Sequence, residues 1–449
     1  MPGPGSDDAL RVALLSYRGN PYSGGQGVYV RHLSRELVAL GHRVEVWSGP
    51  PYPPLDPGVP LVQVPSLDLY RSPDPFRTPA LGEFRDILDV AEFALMCSAG
   101  FPEPLTFSLR AWRALRRRRG DFDLVHDNQC LGYGILGIDR DVAPVVATLH
   151  HPITVDRALE LAHAPTWQRQ VSVRRWYGFV RMQKRVVRRL PRLITVSSSS
   201  ANDICAQMGA RPSQLAVVPV GVDTARFRPM PEVARVPGRI MTTASADVPL
   251  KGLLPLIEAV AKVRTERHAE LVVVGQPRQG SEVPAAIARL GLEGSVHLAG
   301  AVDDRRMVEL YAEAEVAVVP SLYEGFSLPA IEAMACGVPL VATTGGALPE
   351  VVGTDGETAL LVPPGDPGAL AGAIGRMLDD AELRARIGPA GRTRVLHRFT
   401  WQATARATVA QYRRALADAR GSRADGRGSR AGAGGSSVGA GGRRGEPTC

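Results

Sequence analysis

The sequence predicts an α/β protein built from two doubly wound, Rossmann-like domains. Short β-branched runs alternate with longer helical patterns, and this alternation is typical of parallel βαβ units. It begins near residue 10, is interrupted by a proline-containing stretch at 226–238, and then starts again. The length of 449 residues also exceeds the roughly 250–300 residues that one hydrophobic core usually serves, so we expect two domains.

Each half of the chain contains six strand candidates. In the first domain, residues 10–223, they are RVALLSY, VEVWSG, FDLVHD, APVVATLH, RLITVSS and LAVVPVGVD. In the second domain, residues 237–398, they are RIMTTAS, AELVVVGQ, SVHLAGAV, VAVVPSL, PLVATTGG and TALLVPPG. The second set is almost continuously apolar, as in parallel sheets with helices on both faces. Because such sheets bind ligands at the carboxyl ends of their strands, we expect a site in the cleft between the domains.

Three further segments lie outside this alternation. Residues 50–107 are rich in proline and predict an extended loop insertion. Residues 399–419 have helical spacing, with Trp401 and Tyr412 as anchors, and predict a terminal helix that docks on a domain. Residues 420–449 form a basic tail rich in Gly, Ser, Ala and Arg. Such a tail cannot bury enough apolar surface to offset its ordering entropy, so we expect disorder there.

The composition indicates a soluble globular protein in a reducing compartment. Hydrophobic residues make up 45% of the chain and charged residues 22%, which is ordinary for a globular fold. No apolar run approaches the ~20 residues of a membrane-spanning helix, and the amino terminus lacks the basic region of a secretory signal. The five cysteines are scattered and never spaced as CxxC. We therefore expect reduced thiols and a cytoplasmic location.

Positive charge is concentrated in two places. The tail from residue 420 carries six arginines against two acidic residues, which is half of the net charge of +8. Residues 167–192 contain nine basic residues and no acidic one, and they predict an amphipathic helix with a basic face. That face fits a solvated surface, and it also fits an anionic acceptor or peripheral contact with the inner face of an anionic membrane. No nucleic-acid-binding module is recognisable, so we expect no nucleic-acid partner.

The segment 321–352 carries the most chemical information. Its sequence, SLYEGFSLPAIEAMACGVPLVATTGGALPEVV, joins a strand end, a glycine-containing turn and a helix. Ser327 and Leu328 bring their backbone amides to the start of that helix, where free amides and the helix dipole favour a diphosphate. Glu324 and Glu332 are separated by seven residues. The two carboxylates can therefore accept hydrogen bonds from different parts of one ligand.

Other candidate residues lie at turns between strands and helices. Lys251 opens a helix after the strand RIMTTAS, where its charge can stabilise a departing phosphate. In SGGQG, Gly24 and Gly25 let the backbone approach a ligand closely. A surface lysine at a helix start and an ordinary tight turn remain the alternative interpretations of these residues.

Histidines occur at the ends of two strands of the first domain. His150 ends APVVATLH, and we expect its side chain to face the cleft, with His151 as the alternative. His126, in FDLVHDN, and the nearby Asn128 are candidates for lining the acceptor pocket. Residues 121–123 spell DFD, a pair of carboxylates that binds metal ions in other folds, but they precede their strand. We therefore expect no catalytic metal.

The stretch EGFSLPAIEAMACGVPLVAT resembles the signature of the family 4 retaining glycosyltransferases. The similarity extends to SGGQGVYVRHL, VVPVGVDTARFRP, PLKGLLPLIEA and HLAGAVDDRRMVELYAEAEVAVVPSLYEGFSLP. The resemblance implies the GT-B fold, in which two Rossmann-like domains enclose a cleft. It also implies that Glu324 contacts hydroxyls of the donor sugar, Glu332 the ribose and Lys251 the diphosphate. Gly275 and Val302 would then lie near the base.

The resemblance assigns roles in the first domain as well. Gly24 and Gly25 would face the donor diphosphate across the cleft. His150 would hydrogen-bond the donor sugar or the transition state, since this retaining type is thought to lack a protein nucleophile. The family usually has an arginine five residues before the lysine, whereas this chain has Ala246 there. One cation of the expected clamp is therefore missing.

The sequence thus predicts a transferase that moves a hexosyl-type sugar from a nucleotide-diphosphate sugar to an acceptor hydroxyl. The base, UDP or GDP, stays open, and the acceptor can be lipid-linked or otherwise anionic. The nucleotide sugar is a co-substrate, and no separate cofactor is implied. Two alternatives remain: a nucleotide-sugar epimerase on the same fold, and a non-catalytic basic protein that binds a surface. Nucleotide release that requires an acceptor would distinguish the transferase from the epimerase.

Overall fold

Two parallel sheets, each flanked by helices, organise the protein. The computed structural model describes residues 9–19, 25–71, 73–162, 164–243, 249–275 and 281–432. Both sheets are doubly wound, which confirms the predicted fold class.

The sheet of the first domain has seven strands in the order β3-β2-β1-β4-β5-β6-β7. They are β1 (Arg11–Ser16), β2 (Arg43–Ser48), β3 (Leu61–Gln63), β4 (Leu124–Asn128), β5 (Val145–Leu149), β6 (Arg192–Thr195) and β7 (Leu215–Val217). The six predicted strands are all present, and β3 is an addition. The direction of winding reverses between β1 and β4, so a crevice opens beyond the carboxyl ends of these two strands.

The sheet of the second domain has six strands in the order β10-β9-β8-β11-β12-β13. They are β8 (Arg239–Thr243), β9 (Glu270–Val274), β10 (Val296–Gly300), β11 (Val316–Val319), β12 (Leu340–Thr343) and β13 (Leu360–Val362). Each of the six was predicted. Winding reverses between β8 and β11, and the segments that follow these strands carry Lys251 and Glu324.

Helices cover both faces of each sheet. In the first domain they are α1 (Gly25–Ala39), α2 (Ile87–Cys97), α3 (Glu103–Arg116), α4 (Tyr133–Asp141), α5 (Thr154–Ala162), α6 (Trp167–Trp176), α7 (Val180–Val187) and α8 (Ser198–Asp203). The second domain and the carboxyl-terminal segment contribute α9 (Leu253–Arg264), α10 (Val283–Arg289), α11 (Asp304–Glu313), α12 (Leu328–Ala335), α13 (Leu348–Val352), α14 (Pro367–Asp379), α15 (Ala381–Arg398) and α16 (Trp401–Gly432). Among the helices that the structure describes, none is both long enough and apolar enough to span a bilayer.

The proline-rich segment 50–107 contains more regular structure than predicted. It holds β3 and α2, and it ends inside α3. The prediction of an extended loop there was therefore wrong for these three elements. β3 pairs with β2 at the edge of the first sheet, and an edge strand tolerates flanking prolines because one side needs no ladder hydrogen bonds.

Helix α16 returns to the first domain after the second domain is complete. It packs against α1, β5 and β6, with Trp401 and Tyr412 buried. The chain passes between the domains twice, once after Val222 and once near Phe399. These two chain crossings lie side by side, because the Val222 amide donates to the Phe399 carbonyl over 2.8 Å. The helix continues to Gly432, so the tail predicted to be disordered from residue 420 is helical over its first part, and residues 433–449 lie outside the described residues.

The basic segment 167–192 forms two helices instead of one. A short 3-10 turn at Tyr177–Phe179 separates α6 from α7. The predicted apolar stripe is mostly buried, including Val173 and Val187, whereas most of the arginines are exposed. Contact of this basic face with an anionic membrane stays a prediction.

Candidate active site

A cavity of about 520 Å³ lies between the two domains. The first domain contributes residues that follow its strands β4 and β5, and the second contributes the segments after β8 and β11. Predicted residues that line it are His150, Lys251, Glu324, Ser327 and Leu328. Residues that the sequence did not single out also line it, among them Gln26, Tyr29, Gln129, Tyr323 and Phe326. The predicted catalytic residues of both domains therefore share one opening.

Glu324 is held rigidly in the loop after β11. It is 8% exposed, and its Oε1 accepts hydrogen bonds from Lys251 Nζ and from Ser321 Oγ, each over 2.7 Å. Behind it, Gly346 has φ +64°, and a Cβ there would lie 2.3 Å from the Glu324 carbonyl oxygen. Only glycine allows the backbone at residue 346 to come this close to Glu324, so the TTGG turn after β12 packs directly against the Glu324 loop.

Lys251 reaches the cavity because of the turn that follows it. It ends a 3-10 turn, Pro249–Lys251, and the next residue, Gly252, has φ +65° with its Cβ position 1.9 Å from the Pro320 carbonyl oxygen. A side chain at Gly252 would separate this turn from the end of β11. The ammonium group therefore lies beside Glu324, and 29% of the Lys251 side chain is exposed.

The amino terminus of α12 also faces the cavity. Ser327, the N-cap, has φ +107° and ψ 88°, a conformation that costs a non-glycine residue about 1–3 kcal/mol. Its Oγ accepts from the Ala330 amide over 3.4 Å. Ser327, Leu328 and Pro329 line the cavity, so the partial positive charge of the helix end points at any ligand there. The helix end and the nearby Lys251 together present positive charge to the cavity, which would suit an anion.

His150 faces these groups from the first domain. Its Nε2 lies 2.8 Å from Asn128 Oδ1, and its ring packs edge-on against Tyr29 with centroids 4.7 Å apart. Burial, with a smaller contribution from His151, lowers the pKa of His150 to about 3, so the ring is neutral near pH 7. Because the Asn128 amide nitrogen donates to the Gln26 carbonyl over 3.5 Å, Asn128 Oδ1 faces the ring, and Nε2 carries the proton.

The structure contradicts the prediction that His126 lines the acceptor pocket. Its side chain is 0% exposed, with Nδ1 2.6 Å from the Tyr412 hydroxyl and Nε2 2.7 Å from Thr148 Oγ1. It therefore joins α16 to the sheet of the first domain. Asn128 is also fully buried, and it acts on the cavity only by orienting His150.

Glu332 lines a second, smaller cavity of about 150 Å³. Leu328 lines both cavities, so the two glutamates lie on neighbouring parts of one cleft. Burial, and then the charge of Asp304, raises the pKa of Glu332 to about 7, while a hydrogen bond with Tyr311 opposes this shift. The predicted contact of Glu332 with a ribose is compatible with this position.

Of the remaining predicted residues, Gly275 and Val302 do not line the large cavity. Gly25 begins α1, and Gly24 and Ala246 lie outside the described residues. Gly275, with φ +139°, follows the last residue of β9 and pairs with Gly300, the last residue of β10. Val302 lines a separate open cavity on that side of the second domain. Their predicted roles near the diphosphate and the base stay predictions.

A group of contacts across the cleft was not foreseen from the sequence. The Ser197 and Ser200 hydroxyls donate to the Gly325 carbonyl over 2.6 and 3.0 Å. The Ser198 amide donates to Glu350 Oε2 over 2.8 Å, so a carboxylate of the second domain caps α8 of the first. Tyr323 also hydrogen-bonds Asp203. The four-serine run after β6 was the only sequence signal for this group, which we name the interdomain clasp (Ser197, Ser198, Ser200, Asp203, Tyr323, Gly325 and Glu350).

Comparisons with known proteins agree with this architecture. The family model described as Glycosyltransferase Family 4 matches residues 23–226, and the model described as Glycosyl transferases group 1 matches residues 237–380. The chain is 56% identical to the MMP α-(1→4)-mannosyltransferase of Mycolicibacterium hassiacum, over 91% of this chain and 98% of that protein. It is 32% identical to the D-inositol 3-phosphate glycosyltransferase of Kineococcus radiotolerans, over 92% of this chain and 97% of that protein. Sucrose-phosphate synthase from Thermosynechococcus elongatus superimposes with a TM-score of 0.70 at 25% identity, over 91% of this chain and all of that one.

Proposed function

Since this chain belongs to the family 4 glycosyltransferases and is a sugar-transferring enzyme with the GT-B fold, we propose a particular reaction for it. It moves a mannosyl residue from a nucleoside diphosphate mannose to a hydroxyl group of an acceptor sugar. The anomeric configuration is retained, so an α-linked donor gives an α-linked product.

One observation carries this proposal. Lys251, Glu324 and the amino terminus of α12 converge on one side of the 520 Å³ cavity, and His150 faces them from the other domain. The cationic side suits a diphosphate leaving group. The carboxylate and the neutral imidazole suit the hydroxyl groups of a sugar.

The reaction breaks the bond between the sugar C1 and the diphosphate oxygen. The acceptor oxygen forms its bond to C1 on the same face, and the acceptor proton passes to the departing diphosphate. Lys251 and the amides of α12 stabilise the charge that develops on the diphosphate. When Lys251 turns to the phosphate, Glu324 is free to accept hydrogen bonds from sugar hydroxyls. His150, with its proton on Nε2, offers Nδ1 as a further acceptor.

The choice of mannose rests on the relative that is 56% identical, an α-(1→4)-mannosyltransferase. The relatives that are 30–32% identical are D-inositol 3-phosphate glycosyltransferases, so an inositol phosphate acceptor is the competing assignment. Identity over nearly the whole chain is much higher for the mannosyltransferase, and we therefore assign an acceptor sugar in α-(1→4) linkage.

The test combines binding and turnover. A thermal-shift screen of UDP, GDP and their sugars identifies the donor, because a ligand that binds the folded state raises its apparent stability. The purified protein is then incubated with that donor and either mannose oligosaccharides or inositol 3-phosphate. We expect nucleoside diphosphate release that depends on the mannose acceptor, and an α-(1→4) linkage in the NMR spectrum of the product.

Three results would contradict the proposal. Isomerisation of the nucleotide sugar without an acceptor would indicate the epimerase. A β-linked product would exclude retention. Binding of no nucleotide sugar, together with no turnover, would favour the non-catalytic alternative.

A further inference from the structure

A cluster of aromatic rings lies on the first domain beside the catalytic cavity. Trp176, at the end of α6, contacts Phe101, Tyr70 and Phe76, with ring centroids 5.1, 5.5 and 6.0 Å apart. Tyr70 also contacts Phe76 and Phe101, each over 5.4 Å. We name these four residues the aromatic platform. It is built from three separate parts of the chain, so the fold brings the rings together.

The platform is not a closed hydrophobic core. Phe76 is 58% exposed, and the other three rings are partly exposed. Phe76 also has φ +66°, a left-handed conformation that costs an aromatic residue about 1–2 kcal/mol. Burial of the ring does not offset this cost, since most of the ring remains in solvent. Strain of this kind that persists at the surface is typical of ligand-binding positions.

Two routes connect the platform to the catalytic cavity. On one side, Tyr17 packs edge-on against Phe101 with centroids 6.4 Å apart, and its hydroxyl hydrogen-bonds Gln26, which lines the cavity. On the other side, Trp176 and Ile153 pack against one small hydrophobic cluster, and Val155 lines the cavity two residues later. The platform therefore continues the cavity on the acceptor side of the cleft.

We propose that the aromatic platform binds the sugar chain of an oligosaccharide acceptor. This inference rests on the proposed function and names the acceptor class. The C–H faces of pyranose rings are apolar, so they can stack on aromatic faces while their hydroxyls remain in water. The Arg18 guanidinium, 5.9 Å from the Tyr70 ring centroid, forms one polar edge of the surface. The non-reducing end of the chain then reaches the cavity, and the following sugars lie along the platform.

The chain length of the acceptor provides the test. Methyl α-mannoside can occupy only the cavity, whereas α-(1→4)-linked mannotetraose also reaches the platform. We expect Phe76→Ala and Trp176→Ala each to raise KM for mannotetraose roughly three- to tenfold, the range of one aromatic stacking contact. KM for methyl α-mannoside and kcat for both acceptors should stay within about twofold of wild type. Trp176→Tyr, which keeps a ring, should recover most of the loss.

Matched controls separate binding from folding. Trp167→Ala removes a tryptophan that is 70% exposed at the other end of α6, and Leu81→Ala removes an apolar side chain that is 91% exposed. Neither should change the preference for the longer acceptor. A second readout needs no turnover: mannotetraose without donor should change the tryptophan fluorescence of wild type, and this change should be absent in Trp176→Tyr.

Each failure has its own signature. If wild type turns over mannotetraose and Trp176→Ala keeps the full chain-length preference, the platform assignment is wrong and the proposed function stands. If the variants raise KM equally for both acceptors, the rings act only in folding, and the assignment is again wrong. If a phosphorylated acceptor is preferred and its KM rises steeply with salt, charge and not stacking selects the acceptor, and the platform assignment is wrong. If wild type transfers no sugar to any acceptor, the proposed function itself has failed.

Discussion

The pair formed by Glu324 and Lys251 shows how single residues set the chemistry of the cavity. A buried carboxylate without a partner is costly, and the ammonium group of Lys251 offsets that cost. A diphosphate can replace Glu324 as the partner of Lys251, and the carboxylate is then available for sugar hydroxyls. The contact between the two groups therefore holds both side chains in place at the cavity.

Replacement of Glu324 should affect transfer more than nucleotide binding. We expect Glu324→Ala to lower kcat on the order of 100-fold, the effect of removing one oriented polar group from a transition-state site. The dissociation constant of the nucleoside diphosphate should change only a few-fold, because Lys251 and α12 remain. Steady-state kinetics and calorimetry measure the two effects, with Glu357→Ala, on an exposed turn, as control. Equal losses in both measurements would refute a role limited to the sugar.

Replacement of Glu332 should weaken nucleotide binding more than transfer, and the loss of affinity should depend on pH. Burial raises its pKa to about 7, and only the ionised carboxylate accepts hydrogen bonds from both ribose hydroxyls. Affinity for the nucleoside diphosphate should therefore rise severalfold from pH 6 to pH 8 as Glu332 ionises. Glu332→Gln should bind more weakly at pH 8 and lose this part of the pH dependence; the phosphate's own titration, present in both proteins, cancels in the comparison. An unchanged pH profile in Glu332→Gln would place the ribose elsewhere.

His126 makes the attachment of α16 sensitive to acid. Burial lowers its pKa from 6.5 to about 3 in the folded protein, so between these values the unfolded chain binds one more proton than the folded one. The free energy of unfolding therefore falls as pH drops below 6.5, and this residue accounts for about 2 kcal/mol of the loss at pH 5. Urea unfolding of His126→Gln should show a shallower loss between pH 7.5 and pH 5 than wild type, whereas the exposed His397→Gln should follow wild type.

Helix α2 shows why one helix of the insertion could not be predicted from the sequence. Its polar residues Asp89 and Glu92 are each 1% exposed, whereas the apolar Ile87 is 73% exposed and Val90 48%. Arg110 of α3 explains this inversion, since it hydrogen-bonds both buried carboxylates. Apolar periodicity identifies a core-facing side only when the core is apolar, so a helix buried through its charges carries no such signal.

Removal of the buried arginine should therefore unfold this part of the insertion. Arg110→Met leaves two carboxylates buried without their shared cation, and we expect a loss of about 3–5 kcal/mol of stability. Arg113→Met, on the same helix, removes an exposed pair with Asp86 and should cost at most about 1 kcal/mol. Thermal denaturation of the two variants measures the difference, and similar melting temperatures would show that the buried network contributes little.

The parallel sheets were predictable from the sequence because their inner strands, such as β4, β5, β11 and β12, are buried on both faces. Each strand from β8 to β13 lies within an apolar run that turn residues delimit, and Glu324 and Lys251 were found from their places after such strands. Contacts between distant segments were not predictable in this way. The hydrogen bond between His126 and Tyr412 joins residues that are 286 positions apart in the sequence. The position of His126 at the end of a strand could not by itself distinguish this histidine from His150, which lines the cavity.

At the scale of the whole molecule, the interdomain clasp determines how closely the two halves of the site approach each other. The two chain crossings near Val222 and Phe399 lie side by side and form the natural hinge. A second connection between the domains consists of hydrogen bonds from the Ser197 and Ser200 hydroxyls to the Gly325 carbonyl. Since Gly325 follows Glu324 directly, the clasp ties the Glu324 loop to the first domain, and we expect a change in the width of the cleft to move this loop.

Glu350 belongs to the clasp but does not line the large cavity. Its carboxylate accepts from the Ser198 amide, and its negative charge also stabilises the amino terminus of α8. We expect Glu350→Ala to populate a more open arrangement, with a larger radius of gyration by small-angle X-ray scattering in the absence of ligand. Because an open cleft admits water, the ratio of donor hydrolysis to transfer should rise severalfold. Glu357→Ala again provides the control in the same domain. A Glu350→Ala protein with wild-type dimensions and a wild-type hydrolysis ratio would mean that closure depends on the donor alone, and that the clasp forms as a consequence of it.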